Sequence, residues 1–388
     1  MQLRTGSFTA MAKDIVKTDS KIVIFGAGVI GSVVTPQILM ANGIDSYVEY
    51  YIDNDRTRWG TDMEIGSRAV KIYSPAHLSL MERNTVILIT ISRYYNAYEQ
   101  LQSMECTKGM SCYIIPMLCI RNFCDNTGNG ILKMTNKPVI PKVLHYMWLG
   151  GRPMPEKLEK CVESWKMFCP DYEIVRWDET NYDVHKNAFM SETYDNGRYG
   201  FVPDFARLDI LYQYGGIYMD TDVEVVRGLD GLLYQEAFCG VEKWQVINFG
   251  GCCGAVKGYV GLEPFLEGWR MRRILREDGT LDNLSSGLID TKIALNAGYL
   301  INGENQNVLG INIYTYDYFH PYDYMSGMMH RTNNTFSIHH FNGGWLDENA
   351  CADNRKTVEM YEELVRRSIK VDESVKTGNA ADINGEGA

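Results

Sequence analysis

The sequence predicts an α/β protein built as two successive units, each around a mostly parallel sheet, and three observations carry that prediction. Apolar, strand-like runs alternate with helix-length stretches along most of the 388 residues, the pattern of sheets joined by crossover helices. A glycine-rich turn, Gly26-Ala27-Gly28-Val29-Ile30-Gly31, follows the first such run, as at the opening of a small doubly wound domain. Further on, the pair Gly215-Gly216 leads into Ile217-Tyr218-Met219 and then two acids, Asp220 and Asp222. That is a strand end, where α/β sheets place their ligands.

Composition narrows the class. A hydrophobic share of 45% with 22% charged residues is ordinary for a globular protein, and the length allows two cores. The formal charge of -11 argues against nucleic acid as a partner, because non-specific binding to it needs basic patches. It leaves phosphate ligands open, since a cation and a few arginines invert the field locally. Ten cysteines show no Cys-x-x-Cys pair and no zinc-like spacing with histidine, so free thiols in a reducing compartment are expected. No run approaches the ~18 apolar residues of a transmembrane segment, and no signal segment opens the chain. A cytoplasmic protein is expected, with peripheral association as its route to a membrane.

Residues 1–19 are polar and without period, and read as a flexible arm. The first unit, a doubly wound domain over 20–125, starts with the strand Lys21–Phe25 and a helix reaching Asn42-Gly43. A strand from Val48 to Ile52 then ends at Asp53. Gly26, Gly28, Gly31 and Asp53 match the fingerprint of a dinucleotide-binding loop. The same glycines also serve a purely structural use, a tight turn and close helix packing, and no hydride-transfer residues accompany them. A strand at Thr85–Ile91 and a helix at Ala97–Cys106 follow. Residues 126–137 form a polar linker, the second unit covers 138–370, and 371–388 read as a disordered tail.

In the second unit, helices are expected at Pro153–Phe168, Val202–Tyr214, Phe265–Arg276 and Asn349–Ile369. The second has Phe205, Leu208, Leu211 and Tyr212 on one stripe and Gly215 at its end. Asp204 and Arg207 share its face, placed to bond each other or one ligand. If the chain beyond Ile217 stays extended, Asp220 and Asp222 point to one side; if a turn starts at Thr221, they splay around a common point. Either arrangement suits Mn²⁺ or Mg²⁺, hard cations that take one or two carboxylates and fill the rest with water and phosphate oxygens. Arg270, Arg272, Arg273 and Arg276 read as a solvated basic face.

The run Pro203-Asp204-Phe205-Ala206-Arg207-Leu208, with Leu211-Tyr212, Tyr214-Gly215-Gly216-Ile217-Tyr218, Asp220 and Asp222 after it, resembles the glycosyltransferases with a DXD sugar-binding region. That group includes yeast-type initiating mannosyltransferases and bacterial capsule and lipopolysaccharide sugar transferases, and is distantly similar to the clostridial glucosylating toxins. The resemblance implies a GT-A-type nucleotide-sugar transferase domain behind a Rossmann-like domain. It further implies metal-dependent, retaining transfer from a UDP- or GDP-sugar to a saccharide or lipid-linked saccharide, in bacterial surface-glycan assembly. Ile140-Pro141-Lys142 through His145 to Met147-Trp148 resembles the family's first strand and implies that Met147 and Trp148 lie at the nucleotide base; His145 reads as a packed residue. Ser337-Ile338-His339-His340-Phe341-Asn342-Gly343-Gly344-Trp345 resembles the family's closing His-His-x-x-x-Ser-Trp, with Gly344 in place of serine.

The implied roles follow. Asp222 binds the metal directly, Asp220 reaches it through water or holds ribose or sugar hydroxyls, and His340 completes the cation site. Asp204 and Arg207 orient the sugar, Tyr218 and Asn248 line the donor, and Trp345 covers the diphosphate. Two other functions fit the chain: an NAD(P)-dependent sugar-modifying enzyme centred on Gly26 to Gly31, and a catalytically silent sugar-nucleotide-binding module.

Overall fold

The computed structural model describes residues 1–81, 84–123, 130–275, 279, 286–324, 326–342, 352–353 and 355–363. The first sheet contains β1 (Gln2–Leu3), β2 (Lys21–Phe25), β3 (Val48–Ile52), β4 (Asp62–Ile65), β5 (Arg68–Tyr73), β6 (Thr85–Ile89) and β7 (Ser111–Ile114), in the order β1-β7-β6-β2-β3-β5-β4. Every pairing is parallel except the β4–β5 hairpin. Buried on both faces, such strands read as continuous apolar runs; all five residues of β6 are buried. Helices α1 (Phe8–Thr18), α2 (Thr35–Ala41), α3 (Tyr94–Ser103) and α4 (Ile115–Phe123) accompany this sheet.

Residues 1–19 are not the flexible arm expected from their polarity. They form β1 and α1, with Ser7 capping the helix by accepting the Ala10 N–H at 3.1 Å. Phe8, Met11, Ala12 and Ile15 are buried, the spacing of one helical face.

The second part contains β8 (Val143–Met147), β9 (Glu173–Trp177), β10 (Gly216–Tyr218), β11 (Val223–Val225), β12 (Ala237–Val241), β13 (Ile247–Asn248), β14 (Cys253–Ala255), β15 (Gln306–Val308), β16 (Ile311–Tyr314) and β17 (Ser337–His339). Its helices are α5 (Glu156–Phe168), α6 (Ala188–Asp195), α7 (Pro203–Tyr214), α8 (Glu263–Arg270), α9 (Ser286–Asn296) and α10 (Tyr316–Phe319). The main sheet runs β15-β16-β12-β14-β10-β8-β9, with β13 paired to β12. It is mixed rather than mostly parallel, because β14 is antiparallel to both β10 and β12. The short β12–β13 connection cannot house a crossover, so these strands turn back on themselves.

β11 leaves that sheet and pairs antiparallel with β17, so the chain changes sheets across Asp220 to Asp222. Helix α9 also packs on the π-helical turn Ile30–Val34 of the first part. Of the terminal helix expected over 349–369, residues 355–363 are described and helical. Among the described residues no helix is long and apolar enough to cross a membrane, and the eight described cysteines are free thiols.

Candidate active site

Helix α7 is buried nearly all round, so each of its charges needs a partner. Asp209 accepts from Tyr182 at 2.8 Å, Lys186 at 2.6 Å and Gln213 at 2.6 Å, which makes it a packing device. Arg207, also buried, uses Nη2 to reach Asp204 Oδ1 at 3.1 Å and Asp220 Oδ1 at 3.2 Å. The helix stops at Gly215 (φ 70°), and Gly216 (φ 105°) turns the chain into β10. A Cβ on Gly216 would lie 2.8 Å from the Val143 carbonyl, so glycine lets β10 settle against β8. His145 completes this corner. Trp177 Nε1 donates to its Nδ1 at 3.1 Å, which leaves Nε2 to donate to the Gly215 carbonyl at 2.9 Å. Burial pushes its pKa down, and it is a packed residue, as its place in the strand suggests.

Of the two geometries open to the acids, the turn is the one adopted. Val223 N–H donates to the Asp220 carbonyl at 3.1 Å, and Asp220 N–H to the Gly250 carbonyl at 2.9 Å. The side chains then part: Asp220 faces Arg207, whereas Asp222 Oδ1 lies 3.3 Å from His339 Nε2 and its Oδ2 accepts the Asn342 N–H at 2.8 Å. Helix α5 fixes the strand that follows, since Trp165 Nε1 donates to the Val223 carbonyl at 2.7 Å and Ser164 Oγ accepts the Val225 N–H at 2.9 Å.

The two acids are thereby tuned apart. Burial raises Asp220 above the ordinary carboxylate value despite Arg207 and His339. Burial also works against ionisation of Asp222, but the charge and hydrogen bond of His339, with the Asn342 N–H, hold it well below the usual range. His339 is raised in turn, Asp222 overriding its desolvation. Asp204 is pushed up to about 6 by burial, against the pull of Arg207.

The remaining expected residues fall into three groups. Tyr218 is buried, its ring 5.9 Å from the Arg207 guanidinium, and Met147 is buried beside a half-buried Trp148 whose Nε1 donates to the Arg152 carbonyl at 2.7 Å. Asn248 orders a glycine turn: Oδ1 accepts from Gly250 at 2.7 Å and Gly251 at 3.2 Å, while Nδ2 donates to Glu242 at 2.8 Å. A Cβ on Gly250 would fall 2.2 Å from Asp220 Oδ2, so this turn presses directly on the acid.

His340, expected at the cation site, faces Glu224 at 3.0 Å instead. The ladder sets Val223 opposite His339 and so His340 across from Asp222, whose carbonyl accepts the His340 N–H at 3.0 Å, but Asp222 stands in the turn before β11 and its carboxylate bends across to the first histidine. Trp345 lies outside the described residues. His339, Asn342 and Gly250 were not singled out from sequence; only the double glycine Gly250-Gly251 marked a close approach.

The loop of Gly26, Gly28 and Gly31 belongs to the first sheet, and its acid is turned inward. Asp53 accepts the Ala27 N–H at 2.7 Å on Oδ2 and the Asp55 N–H at 2.8 Å on Oδ1. A Cβ on Gly31 would lie 1.9 Å from the Gly26 carbonyl, while one on Gly28 meets nothing within 4 Å.

Among the described residues no three His, Cys, Asp or Glu side chains cluster as a closed metal cage. A hard cation shared with a diphosphate needs less. An ionised Asp222 with Asp220 across a tight turn is a donor set that fits Mg²⁺ or Mn²⁺, which keep water and phosphate oxygens in their other positions.

The family model described as "glycosyltransferase sugar-binding region containing DXD motif" matches residues 155–239. Asp204, Arg207, Tyr218, Asp220 and Asp222 all lie inside that match. The match is thus to a glycosyltransferase DXD region over these residues. Over 150 residues the chain is 31% identical to inositol phosphoceramide mannosyltransferase 3 of Schizosaccharomyces pombe, covering 37% of this chain and 39% of that protein. Over 138 residues it is 34% identical to mannosyl phosphorylinositol ceramide synthase SUR1 of Saccharomyces cerevisiae, covering 33% of each. The chain thus spans between a third and two fifths of the length of these curated relatives. A solved chain titled PaToxG Glycosyltransferase shares 17% identity over 53% of this chain and 84% of that chain, with a TM-score of 0.29. Around the DXD region, His339 and Asn342 are contributions from outside the matched segment.

Proposed function

We propose that the chain is a nucleotide-sugar-dependent glycosyltransferase, with the DXD region holding the donor at the end of β10. The observation that carries this reading is the split environment of the two acids: Asp222 kept ionised by His339 and Asn342, Asp220 paired with the buried Asp204–Arg207 couple. Breaking a sugar–phosphate bond places new negative charge on the departing diphosphate, and catalysis comes from groups that meet that charge where it develops. Mn²⁺ or Mg²⁺ held by Asp222 and Asp220 supplies Lewis-acid stabilisation when bound. Arg207, always cationic, orients the donor sugar with Asp204, and its hold on Asp220 couples the sugar to the acidic turn. Transfer with retention, a GT-A-type fold for the second part and a Rossmann-like fold for the first belong to the same reading, the last supported by the strand order β7-β6-β2-β3-β5.

The relatives' names point to mannose as the sugar and to an inositol phosphoceramide-type lipid as the acceptor. They lend no support to the capsule or lipopolysaccharide setting expected from the sequence. The NAD(P)-dependent alternative is disfavoured because Asp53, the residue that would meet a ribose, is bonded to its own backbone.

The test is hydrolysis of a panel of UDP- and GDP-sugars with and without Mn²⁺ or Mg²⁺, followed by transfer to a phosphoinositol lipid. Cation-dependent release of sugar from one donor is the expected result. Saturable donor binding without hydrolysis or transfer would leave only a binding module, and redox turnover of NAD(P)H would replace the reading altogether.

A further inference from the structure

The hairpin of β12 and β13 places a half-buried carboxylate, Glu242, beside Asn248. Gly240 stands opposite Asn248 and Val241 opposite Ile247, and the Glu242 N–H donates to the Val246 carbonyl at 2.9 Å. Two steps along a strand return a side chain to the same face, so Glu242 is the diagonal neighbour of Asn248. Gly240, directly opposite, has no side chain to come between them.

The contacts then run in series toward the acids. Glu242 Oε1 accepts from Asn248 Nδ2 at 2.8 Å, and Asn248 Oδ1 accepts the N–H groups of Gly250 at 2.7 Å and Gly251 at 3.2 Å. The Gly250 carbonyl in turn accepts the Asp220 N–H at 2.9 Å. Three hydrogen bonds thus join Glu242 to the first acid of the DXD turn. The last link has no slack, since a Cβ on Gly250 would fall 2.2 Å from Asp220 Oδ2. An asparagine amide has one end that donates and one that accepts; flipped, Asn248 would aim its own N–H groups at those of the two glycines. Glu242 removes that alternative, because a carboxylate accepts and does not donate, so Nδ2 is the end that faces it.

We propose that Glu242 is a positioning residue for the cation-binding turn: by fixing which way the Asn248 amide points, it holds Gly250 against Asp220 and keeps that acid where a divalent cation and the donor diphosphate meet. The inference rests on the glycosyltransferase reading and deepens it, adding to the two acids a support that lies beyond the matched segment 155–239. Groups that orient a metal ligand from outside its coordination shell change metal affinity or activity by roughly tenfold to a hundredfold when removed.

The test compares Glu242→Leu, Glu242→Gln, Asn248→Asp and the double variant Asn248→Asp/Glu242→Gln with wild type. Mn²⁺ binding in the presence of UDP and of GDP is titrated by the electron paramagnetic resonance of the free ion, beside donor hydrolysis and melting temperature. Glu242→Leu should weaken Mn²⁺ binding and lower kcat/KM together, each by about tenfold. Glu242→Gln, whose Oε1 can still accept from Asn248, should keep most of both. Asn248→Asp sets two carboxylates face to face and should lower kcat/KM by about a hundredfold. Adding Glu242→Gln exchanges donor and acceptor across the same bond at the wild-type net charge, and should restore most of that loss. These polar variants carry the test if Glu242→Leu does not fold. Unchanged Mn²⁺ affinity in folded Glu242→Leu, a loss in Glu242→Gln as large as in Glu242→Leu, or no rescue of Asn248→Asp by Glu242→Gln would each overturn the inference alone. A wild-type protein that binds no Mn²⁺ with either nucleotide and hydrolyses no nucleotide sugar overturns the proposed function, and this inference with it.

Discussion

Asp53 and the Asp220–Asp222 pair both stand at strand ends beside glycines, yet their partners differ in kind. Asp53 is held chiefly by backbone N–H groups of its own loop and the segment after it, Ala27 and Asp55, with the Arg58 guanidinium at a looser 3.9 Å. Asp220 and Asp222 face cationic side chains from other elements, Arg207 on α7 and His339 on β17. Backbone donors on both oxygens tie a carboxylate to its own turn. Side-chain cations brought from other elements tie Asp220 and Asp222 to α7 and β17 and shift their ionisation in opposite directions. In the proposed function the first arrangement is scaffold and the second is site, although both match fingerprints of comparable length.

Substitutions should separate the two regions most sharply at Asp222. Asp222→Ala should lower donor hydrolysis by roughly a thousandfold, with the fold intact by circular dichroism, while Asp53→Asn leaves turnover unchanged; equal losses in both would erase the distinction. Next comes Gly250→Ala, whose new methyl would press on Asp220 Oδ2. A fall in kcat/KM of about a hundredfold with little change in melting is expected, measured by donor kinetics beside a thermal scan.

On the scaffold side, Gly31→Ala should cost about 3 kcal/mol of stability, because its Cβ would collide with a backbone carbonyl that cannot yield. Gly28→Ala should be close to neutral in the same urea titration. The smallest effect is a slope. Burial raises Asp290 to about 8, above the ~3.9 of an unfolded aspartate. Between those values the native state binds more protons than the unfolded chain, so stability falls as pH rises. Asp290→Asn should flatten that decline in urea melts at about pH 5 and about pH 8.

Much of the framework is visible in the sequence because its signals are local. The strands at 21–25, 48–52 and 85–89 are short, predominantly apolar runs, and α7 with its glycine stop lies within a residue of the expected span. Helix α1 was missed although Ser7 and the spacing of Phe8, Met11, Ala12 and Ile15 are helical signals, because the polar residues between them masked the stripe. The choice between His339 and His340 was not legible. It depends on the turn from Asp220 to Val223, which swings the Asp222 carboxylate to His339 although the ladder sets His340 across from it. The arginines after α8 look alike in sequence until Trp269, Phe189 and Glu192 sort Arg272 from Arg273.

The pairing of β11 with β17 also sets a schedule. A growing chain that has emerged only as far as β16 already contains Arg207 and Asp220, but nothing yet stands opposite Asp222. The acidic turn gains its second flank only when Ser337–His339 arrives and zips onto Val223–Val225. A chain that stops at β16 therefore carries Asp222 without the histidine that holds it ionised.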